Sequence, residues 1–303
     1  MKIAAVVVTF NGLIHIKNSI GALKNQSHQL DEIIIVNNSS TDGTTEWLSD
    51  QKGIEHIIQK NSGSAGGQYT GIKKAYIQGY DYIWCLDQDI VPERDALEKL
   101  LSTEEIKNEN TGFLSSLILD KNLDIAYINV PYIRNFEEVL QALVMKSNIP
   151  IISASFGSLL IPKKAIEKIG LPVKEFFIWG DDVEYTMRMI RAGFKGFLVI
   201  ESKAIHNGED NYLDPFLVMD IRNKKTFFAI RNTFYVIRLR NKVVYKSFIR
   251  GILGCLSFYF IIIKNRFLYH GQNPYRYSIL SLIALISSFF FVSNKKYSYD
   301  TKN

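Results

Sequence analysis

Tyr82-Ile83-Trp84-Cys85-Leu86-Asp87-Gln88-Asp89 is an apolar run that stops at two carboxylates. Alternate residues of an extended chain point to the same side, so Asp87 and Asp89 converge on one small volume. Two carboxylates that close repel each other unless something positive lies between them. A hard divalent cation, Mn²⁺ or Mg²⁺, suits oxygen ligands and bridges carboxylates to phosphates. A nucleotide diphosphate is therefore the first substrate class to weigh. An acidic pair after a strand is also a common solvated turn, so the flanking segments decide.

Upstream, residues 3–10 and 33–36 read as buried strands, with a helix over about 13–26 between them. Asn37-Asn38-Ser39-Ser40-Thr41-Asp42-Gly43 reads as a loop and residues 54–58 as a third short strand. The segment Asn61-Ser62-Gly63-Ser64-Ala65-Gly66-Gly67 reads as a Gly/Ser loop, followed by a helix to about Gln78. Short apolar runs alternating with helical stretches predict βαβ units and an α/β fold. Ligand loops should gather at the carboxyl ends of the strands. The Gly-rich loop lacks both the Walker lysine and the dinucleotide fingerprint. What it offers is close approach of backbone to a ligand, or simply a surface turn.

Downstream, a helix is predicted from Pro92 to Leu101, one or two strands within 111–130, a strand over 151–161 and a short helix over Lys163–Ile169. Trp179-Gly180-Asp181-Asp182-Val183-Glu184-Tyr185 is a second acidic cluster leading into a helix over 182–192. Capping and the helix dipole account for one carboxylate at such a start. Three acids in four residues exceed that need. One of them can accept a proton from a sugar hydroxyl, with Trp179 offering an apolar face to the ring. Residues 197–200 read as a strand, and His206 falls in a polar loop after it. A lone histidine is commonly a satisfied surface residue; beside a carboxylate pair it is a third ligand candidate.

The chain has 303 residues, 47% hydrophobic and 22% charged, enough for one large or two modest globular units. Cys85 and Cys255 are too few for a disulfide framework or metal cluster and sit in apolar runs, as buried thiols. The N-terminus enters a strand pattern directly, so a cytoplasmic location is expected.

The ordered series Val6-Val7-Val8-Thr9-Phe10-Asn11, Ile35-Val36-Asn37-Asn38-Ser39-Ser40-Thr41-Asp42-Gly43, Asn61 with Gly63-Ser64-Ala65-Gly66-Gly67, and Asp87-Gln88-Asp89 resembles family 2 glycosyltransferases of the GT-A fold. The likeness runs over about residues 3–210. Phe176-Phe177-Ile178-Trp179-Gly180-Asp181-Asp182-Val183-Glu184-Tyr185, then Arg188 and His206, is similar to the galactofuranosyltransferase branch, with rhamnosyltransferases close by. The resemblance implies a mixed, mostly parallel sheet and inverting transfer from a nucleotide sugar. It places Thr9, Asn11, Asn38, Asp42, Asn61, Gly66, Gly67 and Asp87 around the donor. Asp87, Asp89 and His206 would hold the metal, Asp182 would be the base, and Trp179, Asp181 and Glu184 would position the acceptor. Many relatives carry Asp where this chain has Asn37 or Asn38, which leaves uridine and thymidine donors both open. The expected reaction moves galactofuranose from UDP-galactofuranose to a lipid-linked bacterial surface glycan of O-antigen or capsule type. The alternatives are rhamnose from dTDP-rhamnose, or a non-catalytic nucleotide- or glycan-binding protein.

On this reading residues 1–219 form the catalytic domain, with a nucleotide half (1–91) and an acceptor half (92–219). Residues 220–303 form a basic, aromatic-rich helical region. About 15 Lys and Arg stand there against about 2 acids, so the remainder is net acidic although the whole chain is +6. Apolar runs at 251–263 and 278–292 fall short of the roughly 20 residues a spanning helix needs. The first, flanked by Arg250 and Lys264, suits an interfacial helix on an anionic membrane surface; the other reading is a helical subdomain packed on the core. The expected location is peripheral, at the inner face of the plasma membrane. The tail is too apolar, and too poor in recognised motifs, for a nucleic-acid partner. A homo-oligomer is compatible with all of this.

Overall fold

The computed structural model describes residues 1–208, 224–245, 248–269 and 274–291. Its first half alternates strands and helices: β1 (Ile3–Thr9), α1 (Leu13–Lys24), β2 (Glu32–Asn37), α2 (Thr44–Ser49), β3 (Glu55–Ile58), α3 (Gly63–Ile77) and β4 (Tyr82–Asp87). These four strands are parallel, in the order β3-β2-β1-β4. β1 is buried at every position, as a parallel strand covered on both faces must be. Ala4 and Val6 cluster with Ile72 and Ala75 of α3 on one face. Ile3, Ala5 and Val7 cluster with Ile16, Ile20 and Leu23 of α1 on the other.

The second half adds β5 (Ile90–Pro92), α4 (Ala96–Leu101), β6 (Thr111–Leu119), α5 (Phe136–Met145), β7 (Ile149–Ile151), β8 (Leu159–Pro162), α6 (Lys163–Ile169), α7 (Asp181–Arg191) and β9 (Lys195–His206). The sheet runs β3-β2-β1-β4-β8-β6-β9-β5, with β7 also on β9. Among the described residues four pairings are parallel and four antiparallel. Six of the nine strands run in one direction and only β5, β7 and β8 oppose them, so the sheet is mixed and mostly parallel, as expected. The antiparallel partners β5, β7 and β8 are three or four residues long, too short to stand out as apolar runs. Pro92 ends a strand and does not open a helix, and the expected strand over 151–161 is two strands separated by a loop that reaches the cleft.

The tail folds into α8 (Lys224–Tyr245), α9 (Phe248–Tyr269) and α10 (Pro274–Phe290). α8 packs on α7, and α9 and α10 pack on α8 through Ile230, Phe234, Cys255, Ala284 and Leu285. No helix among the described residues is long and apolar enough to cross a membrane. The expected boundary at 219/220 and the last residue of the second apolar run lie outside the described residues.

Candidate active site

Register brings three strand ends to one edge. Thr9 pairs with Asn37, and Val8 with Asp87, so the loops after β1, β2 and β4 emerge side by side. His206 pairs with Ile90 and therefore stands beside Asp89. His206 is thus the last residue of β9, not a loop residue as expected. A register shift opposite Ser116 and Leu117 carries the strand past Glu201, Ser202 and Lys203, which hide its continuation in the sequence.

A cleft of about 480 Å³ opens at this edge. Of the expected residues, Thr9, Asn38, Asn61, Asp87, Asp89, Trp179, Asp181, Asp182 and His206 line it. The two acidic clusters thus face one space. Asn38 is buried, donating to the Gly63 carbonyl at 3.1 Å and accepting from Gln59 at 2.8 Å. The Asn61 side chain accepts from Gly63 N–H at 2.9 Å. Gln88, lying between the two aspartates, accepts from the Thr9 hydroxyl at 2.7 Å and from Phe10 N–H at 3.0 Å. It ties the end of β1 to the end of β4, a role the sequence reading passed over.

Asn11, Asp42, Gly66, Gly67 and Glu184 are not among the cleft-lining residues. The Asn11 side chain accepts from Thr41 N–H at 2.8 Å, and Asp42 accepts from Leu13 N–H and from Thr44, so both brace neighbouring loops. α3 begins at Gly63, which puts Gly66 and Gly67 inside a helix. A Cβ on Gly67 would lie 2.3 Å from a Val8 methyl; the glycine lets helix and strand meet closely. Glu184 is buried and pairs with Arg188 at 3.0 Å, and Arg188 also donates to the carbonyls of Ile169 and Leu171.

The segment before α7 is strained. Phe177 and Trp179 have φ of 66° and 61°. Phe177 has ψ of −57°, and Ile178 N–H donates to the Phe176 carbonyl at 2.8 Å. This is a γ-turn of the unfavourable hand. Such residues cost about 1–3 kcal/mol each and persist only where the surroundings hold them. On one side Ala65 N–H donates to the Phe177 carbonyl at 3.2 Å. On the other, Asn232 of α8 donates to the carbonyls of Phe176, Ile178 and Trp179 at 3.0, 2.7 and 2.8 Å.

The charges are arranged for function. Burial, then the charges of Asp89 and Asp182, push Asp87 up to about 7. Burial also raises Asp89, but the hydrogen bond and charge of His206, 3.4 Å away, outweigh it and hold Asp89 below the usual carboxylate range. Burial pushes Asp182 up to about 6, opposed by the N–H groups of Val183, at 2.7 Å, and Phe156. Burial and the Asp182 charge raise Asp181 well above the ordinary range; its Oδ2 is buried with no hydrogen-bond partner among the described residues. Shifts of this kind, converging in one cleft, mark a functional site.

Among the described residues no three His, Cys, Asp or Glu side chains close a metal cage by themselves. The donor set still fits Mg²⁺ or Mn²⁺. Asp87 and Asp89 supply oxygen, His206 supplies nitrogen, and such ions are completed by waters and substrate phosphates.

Residues 4–160 match the family described as Glycosyl transferase family 2. A galactofuranosyltransferase, GlfT1, of Mycolicibacterium smegmatis is 24% identical over 78% of this chain and 82% of its own. A dTDP-rhamnosyl transferase, RfbF, of Shigella flexneri is 24% identical over 90% of this chain and 93% of its own. Among solved structures, GalNAc-T7 with UDP, GalNAc and Mn²⁺ superposes with a TM-score of 0.62 at 13% identity, over 96% of this chain and 56% of that one, a likeness of fold. With a family match spanning more than half its length and a shared α/β architecture, this chain is a glycosyltransferase and belongs to glycosyl transferase family 2.

Proposed function

We propose that the protein is an inverting, divalent-cation-dependent galactofuranosyltransferase that extends a lipid-linked saccharide from UDP-galactofuranose. The observation that carries this reading is one cleft with carboxylates on two sides. Asp87 and Asp89 end β4 and meet His206, while Asp182 opens α7 on the other side. A divalent ion held by Asp87, Asp89 and His206 would supply Lewis-acid neutralisation of the departing nucleoside diphosphate. Asp182, with its pKa near 6, is ionised at neutral pH and basic enough to take the proton from an acceptor hydroxyl. Attack from the face opposite the leaving group inverts the anomeric centre, and no covalent intermediate on the protein is needed. Trp179 offers a ring to the acceptor sugar. Asn38, at the floor of the cleft, suits a pyrimidine edge.

A second reading, rhamnose from dTDP-rhamnose, is supported by the RfbF likeness, which extends over 90% of this chain. An amide in this chain where many relatives carry an acid, at Asn37 or Asn38, is compatible with either pyrimidine. The membrane reading rests on the tail. Ile249, Leu253, Leu256 and Phe260 form an exposed stripe on α9, and Ile279, Ile283, Ile286 and Phe290 form another on α10. Both helices bury their opposite faces on α8. Apolar stripes in a strongly basic segment suit the anionic inner leaflet of the plasma membrane, where a lipid-linked acceptor is presented.

The test is nucleotide release with Mn²⁺, a lipid-linked saccharide acceptor and either UDP-galactofuranose or dTDP-rhamnose. Turnover with the first and not the second supports the proposal, and the converse supports the second reading. No acceptor-dependent release with either donor rejects both.

A further inference from the structure

The tail helix α8 lies beyond the family match at residues 4–160, yet it braces the loop at 176–180 that forms one wall of the cleft. Asn232 is 1% exposed. Its side-chain amide faces three carbonyls of the loop that opens onto α7, at 2.7–3.0 Å. Its Oδ1 is engaged by the neighbouring Arg231 Nε at 2.9 Å, which fixes which end of the amide faces the loop. Arg231 itself donates to the carbonyls of Glu175 and Phe176 and lies over the rings of Phe228 and Phe291. One step further along α8, Val236 closes on Gly180.

The loop held this way carries the γ-turn at Phe177 and a left-handed Trp179. Gly180, also left-handed at φ 81°, is the residue from which α7 starts. Asp181 and Asp182 follow it directly. Carbonyls at Phe176, Ile178 and Trp179 that turn to one side are what the strained backbone creates, and one side-chain amide gathers all three. Released from it, the segment has every reason to relax to ordinary dihedrals, and Trp179 and Asp182 would then move relative to the β4 end of the cleft.

Resting on the family 2 reading of the cleft, we infer that Asn232 is a positioning residue for the acceptor side of the transfer. It acts through the backbone of residues 176–180 and touches no substrate. The tail is then part of the catalytic architecture as well as a docking element.

The experiment uses the full chain with Asn232→Asp, which keeps the shape but turns an oxygen toward the three carbonyls, and Asn232→Ala. Asn241→Ala, whose side-chain amide donates to the Ile237 carbonyl of its own helix, serves as the control on α8. The first readout needs no substrate. In a Trp47→Phe background, Trp179 is the partly exposed tryptophan beside the buried Trp84. Acrylamide quenching should rise at least about twofold in both Asn232 variants and stay level in the control. The second readout is kinetic: kcat should fall by about 10- to 100-fold, as misplacement on the order of 1 Å allows. Binding of UDP with Mn²⁺ should remain within about twofold of wild type, because the donor wall is untouched.

Unchanged quenching in folded Asn232 variants, or loss of UDP binding in step with kcat, overturns the inference. If Asn232→Asp fails to fold, Asn232→Ala is judged by the same two readouts. A wild-type protein that turns over neither donor defeats the functional reading alone, and the quenching result still decides the role of Asn232.

Discussion

Gly63→Ala is the substitution whose cost the structure specifies most sharply. Gly63 has φ of +75°, and a Cβ placed on it would lie 1.9 Å from the Phe177 carbonyl oxygen. The nearest tolerable approach is about 3 Å, so the carbonyl must retreat by about 1 Å. The left-handed backbone alone costs an alanine about 1–2 kcal/mol. Loss of the hydrogen bond from Ala65 to that carbonyl adds about 1 kcal/mol. Together these predict a loss of about 2–3 kcal/mol, and a melting temperature lowered by roughly 3–5 °C in a chain of 303 residues. Because the displaced carbonyl belongs to the strained turn before α7, kcat should fall about 100-fold. Gly79→Ala separates the two effects: its φ is +84° with open space around the added methyl, so it carries the backbone cost with no collision. Thermal melts and acceptor-dependent nucleotide release on both variants provide the assay. Equal melting temperatures for the two, with wild-type turnover in Gly63→Ala, would refute the reasoning.

Four further outcomes are expected. Asp182→Asn should lower kcat by about 10²- to 10⁴-fold while UDP binding persists; in wild type, because burial raises this acid to about 6 and the base must be ionised, activity should climb with pH through about 6 and fall about tenfold for each unit below it. Asp89→Ala, or chelation of the divalent ion, should weaken calorimetric binding of UDP at least about tenfold without unfolding the chain. Trp84→Phe should cost about 2–3 kcal/mol in urea melts, since Nε1 donates to Ser158 Oγ at 3.0 Å inside a buried hydroxyl chain with Ser116 and Ser202, yet leave kcat near wild type. Sedimentation with anionic vesicles should exceed that with neutral ones and weaken with salt, and Phe260→Glu should reduce it; equal binding to both vesicle types would remove the electrostatic part of the membrane proposal.

The nucleotide half was legible because three of its strands are almost entirely buried and therefore read as apolar runs. β1, β2 and β4 read as uninterrupted runs, and their ends name the cleft. Elsewhere tertiary context overrode local pattern. Gly66 and Gly67 look like a loop because glycine is a poor helix former, but close packing on β1 and against Ser62 demands glycine there. His206 reads as a loop residue because the polar stretch Glu201-Ser202-Lys203, at and just after the bulge, breaks the apolar pattern of β9. Glu184 reads as one of three converging acids; helical rotation turns it toward Arg188 instead. Gln88 was in plain view between two aspartates, but its use depends on Thr9 and Phe10, 79 and 78 residues away in the chain. Asn232 left no signal, since three carbonyls brought together by strained dihedrals have no sequence signature.

The seam between α7 and α8 sets a limit on recombination within the family. Chimeras that exchange C-terminal tails between relatives would naturally be joined just after β9, which ends at His206. A foreign helix in the place of α8 would arrive without an amide at Asn232 or a guanidinium at Arg231, and the Trp179 segment would lose its outer brace. Viable grafts should therefore inherit residues 175–180 and the inner face of α8 from the same parent.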